Sequence, residues 1–302
     1  MRDANKRAFI IFKKDWCLLN NKEKKVFGII GQPVRQSLSP VIHNFWMRTH
    51  KIPGTYKKFM VKKGKIGEFL SSKTKENCVL ALNITVPHKI DILKYLHHLD
   101  ISAKTVGSVN TVKLKKNGSL IGFNTDLYGF IQPLKLQIPS WKKYMEKVVV
   151  YGSGGSARAV CAGLKTLGAK KIIICGRTMK KSQALKNHIK GKIKVSKWSE
   201  RNNLLNDATL LVNTTPMGML GSKPLDLSLE ELPVQSVVYD IIYNPIKTNL
   251  ILEAEKRGNK TIGGIGMLLY QAKSSFHKWF NIWPRSTVYL QNKLERVLKK
   301  QC

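Results

Sequence analysis

The chain has 302 residues, enough for two domains with real cores, and 43% of them are hydrophobic, an ordinary share for a globular protein. Lysine and arginine number 53 against 18 acids, a formal net charge of +35 that raises nucleic acid or an anionic membrane as partners. The basic residues come as scattered pairs (Lys57-Lys58, Lys62-Lys63, Lys115-Lys116, Lys142-Lys143, Lys170-Lys171, Lys180-Lys181), with no single basic segment or aromatic-interleaved platform. The expectation is therefore a solvated lysine-rich surface that attracts anionic substrates, with no specific nucleic-acid partner. No apolar run is long enough to cross a bilayer and no signal-peptide pattern opens the chain, so no membrane partner is expected. Cys17, Cys78, Cys161, Cys175 and Cys302 form no C-x-x-C pair and are odd in number, which suits free thiols in a reducing, cytoplasmic compartment.

In chain order, residues 1–25 show no clean period and read as an extension. A strand VFGIIG begins at Val26, followed by a loop through Ser37 and Ser39 and a helix with Pro40 in its first turn. Val41, Ile42, Phe45 and Trp46 form that helix's apolar face. Hydroxyls at a helix mouth favour an anion such as a carboxylate, although on spacing alone Ser39 reads first as an N-cap. A strand near Tyr56–Val61 and a helix around Ile66–Ser71 come next. Val79 to Leu82 is a buried strand running into Asn83-Ile84-Thr85-Val86-Pro87-His88-Lys89. An amide, a hydroxyl and an ammonium (Asn83, Thr85, Lys89) at a strand's carboxyl end stand where open α/β sheets bind ligands. A helix is expected to continue to about Leu99, with His97 and His98 facing different directions. Then come Gly107-Ser108-Val109-Asn110-Thr111, a hairpin turn at Lys116-Asn117-Gly118, and Gly122-Phe123-Asn124-Thr125-Asp126.

After a connection from Ile131 to Glu146 containing Pro133 and Pro139, Val148 to Tyr151 forms a short apolar run, the pattern of a strand buried on both faces. Gly152-Ser153-Gly154-Gly155-Ser156-Ala157 follows and fits G-x-G-x-x-A. Val160, Cys161, Leu164 and Leu167 continue one helix face, Gly168 stops the helix, and Ile172 to Cys175 completes a βαβ unit. Between a strand and a helix, these glycines allow a tight turn and close approach of a pyrophosphate to the helix N-terminus; an ordinary βα turn is the alternative. An NAD site usually carries an acid at the end of the second strand. Here stand Gly176-Arg177-Thr178 with Lys180 and Lys181, which suit a 2′-phosphate and hence NADP, or else form a solvated basic turn.

Further strands are expected at 209–213, ending in Thr214-Thr215-Pro216-Met217-Gly218, and at 236–240, running into Ile241-Ile242-Tyr243-Asn244-Pro245. A helix from about Thr248 to Arg257 stops at Gly258, Thr261-Ile262-Gly263-Gly264 closes this half, and two helices fill Met267–Trp279 and Val288–Leu298. The seven histidines lack metal-site spacing, so no metal is expected, and no G-x-S-x-G elbow is present. His43 reads as a structural, hydrogen-bonding residue.

Together, SLSPVIHN (37–44), NITVPHK (83–89), GSVNT (107–111), GFNTDLYG (122–129), GSGGSARA (152–159), GRT (176–178), NTTPMGM (213–219), DIIYNP (240–245) and GGIGMLLYQA (263–272) resemble the shikimate dehydrogenases. They fall in the family's order across residues 26–280. The resemblance implies an α/β fold of two domains: an open α/β substrate-binding domain over 26–127, completed by C-terminal helices over 265–302, and a Rossmann-type NADP-binding domain over 128–264. It implies reversible, NADPH-dependent reduction of 3-dehydroshikimate to shikimate, toward chorismate and the aromatic amino acids, by a monomer or homodimer. It also implies site roles. Lys89 and Asp126 would be the catalytic pair, and Ser37 and Ser39 would hold the substrate carboxylate. Thr85, Asn110, Asp126, Tyr243 and Gln271 would contact its ring hydroxyls or ketone region, with Asn83 lining the pocket. Gly152, Ser153, Gly154, Gly155 and Ser156 would cradle the pyrophosphate, Arg177, Thr178 and Lys181 the 2′-phosphate, and Ile241 and Gly264 the nicotinamide end. Ser108, Ser153 and Ser156 replace alanines usual in the family, and Gly176 stands where the family often has Asn. A quinate or dual quinate/shikimate dehydrogenase would share nearly every motif; serine at both 37 and 39 favours shikimate. A basic, non-enzymatic relative would explain the charge but not the joint presence of Lys89 and Asp126.

Overall fold

The apolar runs become strands. In the computed structural model, which describes residues 25–75, 79–115 and 117–300, VFGIIG lies in β1 (Lys25–Gly31). The expected extension lies outside the described residues except for Lys25. β1 pairs in parallel with β2 (Tyr56–Met60) and β3 (Val79–Ile84). β3 then pairs antiparallel with β5 (Thr111–Leu114), and β5 with β6 (Leu120–Phe123), through a turn in which Gly118 takes φ +79°. β4 (His98–Leu99) completes a mixed sheet of order β2-β1-β3-β5-β6-β4. Its helices are α1 (Ser39–Thr49), α2 (Ile66–Lys75), α3 (His88–Asp91) and α4 (Ile101–Val106).

The second sheet is parallel throughout. β7 (Lys147–Tyr151), β8 (Lys171–Cys175), β9 (Ile193–Ser196), β10 (Leu210–Asn213), β11 (Val237–Asp240) and β12 (Lys260–Ile262) run in the order β12-β11-β10-β7-β8-β9. The order reverses between β7 and β10, the point at which open α/β sheets take ligands at their strands' carboxyl ends. Val148, Val149, Val150 and Tyr151 are fully buried, as a strand covered on both faces requires. Among the described residues, the remaining helices are α5 (Asp126–Gln137), α6 (Gly155–Thr166), α7 (Met179–Ile189), α8 (Asn249–Lys256), α9 (Gly264–Phe280) and α10 (Val288–Lys299).

The C-terminal helices return to the first sheet. Phe276 and Trp279 of α9 and Leu290, Leu294 and Leu298 of α10 share one core cluster with Phe27, Ile42 and Trp46. α9 also lies close along α5, because Gly129 carries no side chain: a Cβ there would come 2.8 Å from Gln271 Cβ and 2.9 Å from the Met267 carbonyl. Burial pushes the free Cys161 and Cys175 thiols up to about 12, so neither is a nucleophile at neutral pH.

Two expectations of secondary structure change, and one stretch with no expected element acquires two. The helix read up to Leu99 is one turn, α3, followed by a 3-10 turn over Ile92–Tyr95. Leu96 is extended, and His97 trades backbone and side-chain hydrogen bonds with Leu120, so pairing with β6 wins over helix continuation. Pro133 lies inside α5 rather than in a connection, where burial of Phe130, Ile131 and Leu134 outweighs one missing N–H donor. The unassigned lysine-rich stretch after Thr178 folds as α7 and β9.

Candidate active site

Lys89 sits on the single turn of α3, just past the carboxyl end of β3, and is 8% exposed. The turn is held in place by Val109, whose N–H donates to the Lys89 carbonyl at 2.8 Å. Asp126 is the first residue of α5. The two meet at 2.6 Å, Lys89 Nζ to Asp126 Oδ2. The other carboxylate oxygen accepts from Asn110 Nδ2 at 2.8 Å, and the Asp126 N–H donates to Asn124 Oδ1 at 3.0 Å. Asn124 is in turn held by the carbonyl and hydroxyl of Ser108. The carboxylate is thus fixed from both sides and aimed at the ammonium.

Beneath the pair lies a closed polar network. Asn83 Oδ1 accepts from the Tyr56 hydroxyl at 2.7 Å, while Asn83 Nδ2 faces the Asn110 carbonyl, Thr111 Oγ1 and Ser275 Oγ at 3.1, 3.2 and 3.0 Å. Ser275 also meets Thr111 at 2.8 Å and Thr125 at 3.0 Å, and Asn110 Nδ2 donates to Thr125 Oγ1 at 2.9 Å. Four members escaped sequence reading. Thr111 and Thr125 stand inside motifs already singled out, and Ser275 follows Gln271 by four residues on one helix face, a spacing that could have found it. Tyr56 carries no such signal beyond being the buried end of an otherwise exposed strand.

The other expected substrate residues gather around this network. Ser37 and Ser39 are buried, and Leu38, not Ser39, is the N-cap of α1. Ser37 Oγ accepts from the Ser39 N–H at 3.3 Å; the Ser39 hydroxyl meets Tyr56, and Tyr243 reaches the Ser37 side chain and the Leu38 backbone. Burial pushes both phenols above their ordinary range. Thr85 lies at the end of β3, its methyl pressed into the space that a Cβ on Gly31 would need. Gln271 is half-buried and its amide donates to its own helix, at the Leu268 carbonyl. His43 is structural: its ring stacks on Tyr56 at 4.5 Å and lies against the Asn83 side chain, and burial holds its pKa at about 3.

The glycine loop follows β7. Gly152 takes φ +109°, which favours glycine, and the N-cap of α6, Gly154, supplies no side-chain cap to the first-turn N–H groups. A Cβ on Gly154 would meet nothing within 4 Å, so the approach to those donors is open. Ser153 and Gly176 belong together: a Cβ at 176 would come 3.0 Å from Ser153 Oγ, so this serine occupies room that a larger residue 176 would need. Arg177, Thr178 and Lys181 are exposed beyond β8, and Thr178 caps α7 without a side-chain hydrogen bond. Ile241 and Gly264 are adjacent: a Cβ on Gly264 would clash with the Ile241 carbonyl. Open donors at a helix mouth beside a cationic rim with no acid fit a dinucleotide that carries an additional phosphate. The loop also touches the ion pair, with Lys89 Nζ 3.3 Å from Ser156 Oγ.

Comparison with known proteins gives a consistent picture. Residues 29–112 match the family model described as the shikimate dehydrogenase substrate binding domain, and residues 135–219 that of shikimate / quinate 5-dehydrogenase. The shikimate dehydrogenase (NADP(+)) of Paramagnetospirillum magneticum is 38% identical over 86% of this chain and 94% of its own. Among solved structures, the shikimate 5-dehydrogenase of Thermus thermophilus, in complex with NADP(H) and shikimate, superposes with a TM-score of 0.75 at 27% identity, covering 92% of this chain and 100% of its own. The quinate dehydrogenase of Corynebacterium glutamicum, in complex with NAD, shares the fold at a TM-score of 0.80 and 24% identity, covering 92% of this chain and 100% of its own.

Proposed function

The chain belongs to the shikimate dehydrogenase family, and on that premise we propose that it reduces 3-dehydroshikimate to shikimate, reversibly and with NADPH, in aromatic amino acid biosynthesis. The observation that carries the reading is the Lys89–Asp126 pair at 2.6 Å, buried at the rim of the glycine loop. When bound, NADPH supplies the hydride that reaches the ketone carbon.

The chain's own residues do the rest. The Lys89 ammonium donates a proton to the oxygen as charge develops on it, and in the reverse direction Lys89 takes the proton back. Asp126, fixed by Asn110 and by its own N–H bond to Asn124, keeps the ammonium oriented and balances its charge in a site shielded from water. Ser37 and Ser39 are assigned to the substrate carboxylate, aided by Tyr243, and Thr85, Asn110, Tyr243 and Gln271 to the ring oxygens. Asn83, whose amide ties Tyr56 to Asn110, Thr111 and Ser275, lines the pocket beneath them. The α6 mouth from Gly152 to Ser156 takes the pyrophosphate, Arg177, Thr178 and Lys181 the 2′-phosphate, and Ile241 and Gly264 the nicotinamide end. On this reading residues 26–127 with 265–302 form the substrate domain and 128–264 the cofactor domain, supported by the packing of α9 and α10 on the first sheet's core. Buried free thiols suit a cytoplasmic location.

The test is oxidation of shikimate against quinate at saturating NADP+, together with NADPH-dependent reduction of 3-dehydroshikimate. The expected result is a higher kcat/KM for shikimate. An equal or higher value for quinate would overturn the substrate assignment and leave the fold untouched.

A further inference from the structure

Lys89 is held from both sheets. Its ammonium reaches Ser156 Oγ at 3.3 Å as well as Asp126 Oδ2 at 2.6 Å. Its stem lies across Gly155, where an added Cβ would come within 3.0 Å of both Lys89 Cβ and Cδ. The segment after α4 closes the contact from the side: Ser108 Oγ donates to the Gly155 carbonyl at 3.4 Å, and the next residue, Val109, holds the Lys89 carbonyl. An ammonium has three N–H groups. Asp126 and Ser156 take two of them in set directions, which leaves the third for a substrate oxygen. Because the Ser156 oxygen accepts from Lys89, its own hydrogen can be given elsewhere. Ser156 stands in the first turn of α6, at a mouth with no side-chain cap.

We infer that Ser156 is a positioning residue that couples the two halves of the site, its oxygen orienting the Lys89 ammonium while its hydrogen goes to a phosphate oxygen of the bound dinucleotide. The inference rests on the shikimate dehydrogenase reading. An alanine at this position, usual in the family, would leave the ammonium held by Asp126 alone. Coupling of this kind is reciprocal: a change at Lys89 must be felt in cofactor affinity through Ser156, and the reverse.

The test uses the full chain without substrate. NADP+ dissociation constants are measured by titration calorimetry for the parent, Ser156→Ala, Lys89→Met and the double variant. Ser156→Ala is expected to weaken binding about fivefold in the parent but less than about twofold in the Lys89→Met background, because the two groups act as one unit. Ser156→Thr, which keeps the hydroxyl, should restore the parent value. Steady-state oxidation of shikimate should follow, with kcat lowered about three- to tenfold in Ser156→Ala and recovered in Ser156→Thr. An equal fold-loss of affinity in the two Lys89 backgrounds, no loss in either, or a threonine variant as weak as the alanine one would overturn the inference. A parent enzyme that fails to oxidise shikimate would instead overturn the reading of its function, while the binding cycle would still measure the coupling.

Discussion

The two halves of the site are built on opposite plans. At the first sheet, Asn83, Asn110 and Asp126 are 4%, 2% and 5% exposed, and each is tied into a network that is satisfied before any ligand arrives. At the second, the expected ligands are backbone N–H groups at a helix mouth and side chains, Arg177, Thr178 and Lys181, that stand in solvent. The first plan places dipoles in a dry setting where each contact is strong and reorganisation is small. The second relies on charge attraction that salt can screen. Substitutions in the first half should therefore cost rate and stability, and those at the rim of the second should cost affinity alone.

The largest effect is expected at the ion pair. Lys89→Ala should lower kcat by about 10²–10⁴ with a smaller change in substrate KM, since the side chains proposed to contact the ring are left in place. Asp126→Asn should also be impaired, and the double variant much less than multiplicatively worse, because the pair acts as a unit. Steady-state kinetics on folded, NADP-binding variants decide it; near-normal kcat in Lys89→Ala means that another group moves the proton.

Asn83→Ala sharpens the comparison through stability. It removes one hydrogen-bond partner each from the Tyr56 hydroxyl, the Asn110 carbonyl, Thr111 and Ser275, and should lower unfolding free energy by about 2–4 kcal/mol in urea titrations. A loss no larger than that of an exposed-site control would break the picture of a closed network.

Asp240 is the buried exception in the second half. Burial pushes its carboxyl up to about 6, against an ordinary value of 3.8, and hydrogen bonds from Ile242 N–H, Thr248 and Asn213 only partly oppose this. The folded chain thus binds this proton more tightly than the unfolded chain does. The stability it contributes is whole below about pH 4 and is lost as pH rises through about 6, an effect on the order of 2–3 kcal/mol. Asp240→Asn should flatten that fall in thermal-unfolding profiles between about pH 4 and 7; an unchanged profile would show that Asp240 is not its source.

At the rim, Arg177→Ala should weaken NADP+ binding by about 1.5–3 kcal/mol, hardly change NAD+ binding, and lose less at high salt. Equal weakening of both cofactors would mean that Arg177 does not meet the 2′-phosphate.

Much of this was legible locally. The apolar run at Val148–Tyr151 and the glycines after it marked a strand, a turn and a helix mouth, because burial on both faces and φ +109° at Gly152 are demands on single positions. The basic rim after Cys175 was visible for the same reason, as side chains named by type alone. α7 was not: only Ser182, Leu185 and Ile189 are buried among its lysines, too sparse a stripe to separate from a solvated turn.

What the sequence determined by itself was the alternation of strands and helices, the glycine turn and the residue types at successive strand ends, since each follows from periodicity or backbone geometry within a few neighbours. Tertiary structure alone decided which of those ends meet. Lys89 and Asp126 are 37 positions apart, and Lys89 and Ser156 are 67 apart. They come together because β3 pairs with β5, α5 packs on α9, and Gly155 leaves room for the lysine stem. Tyr56 joins Asn83 across β1, and His98 leaves a helix for a strand, for the same reason. A partner supplied from far along the chain can outweigh local preference, and no local pattern records where that partner will be.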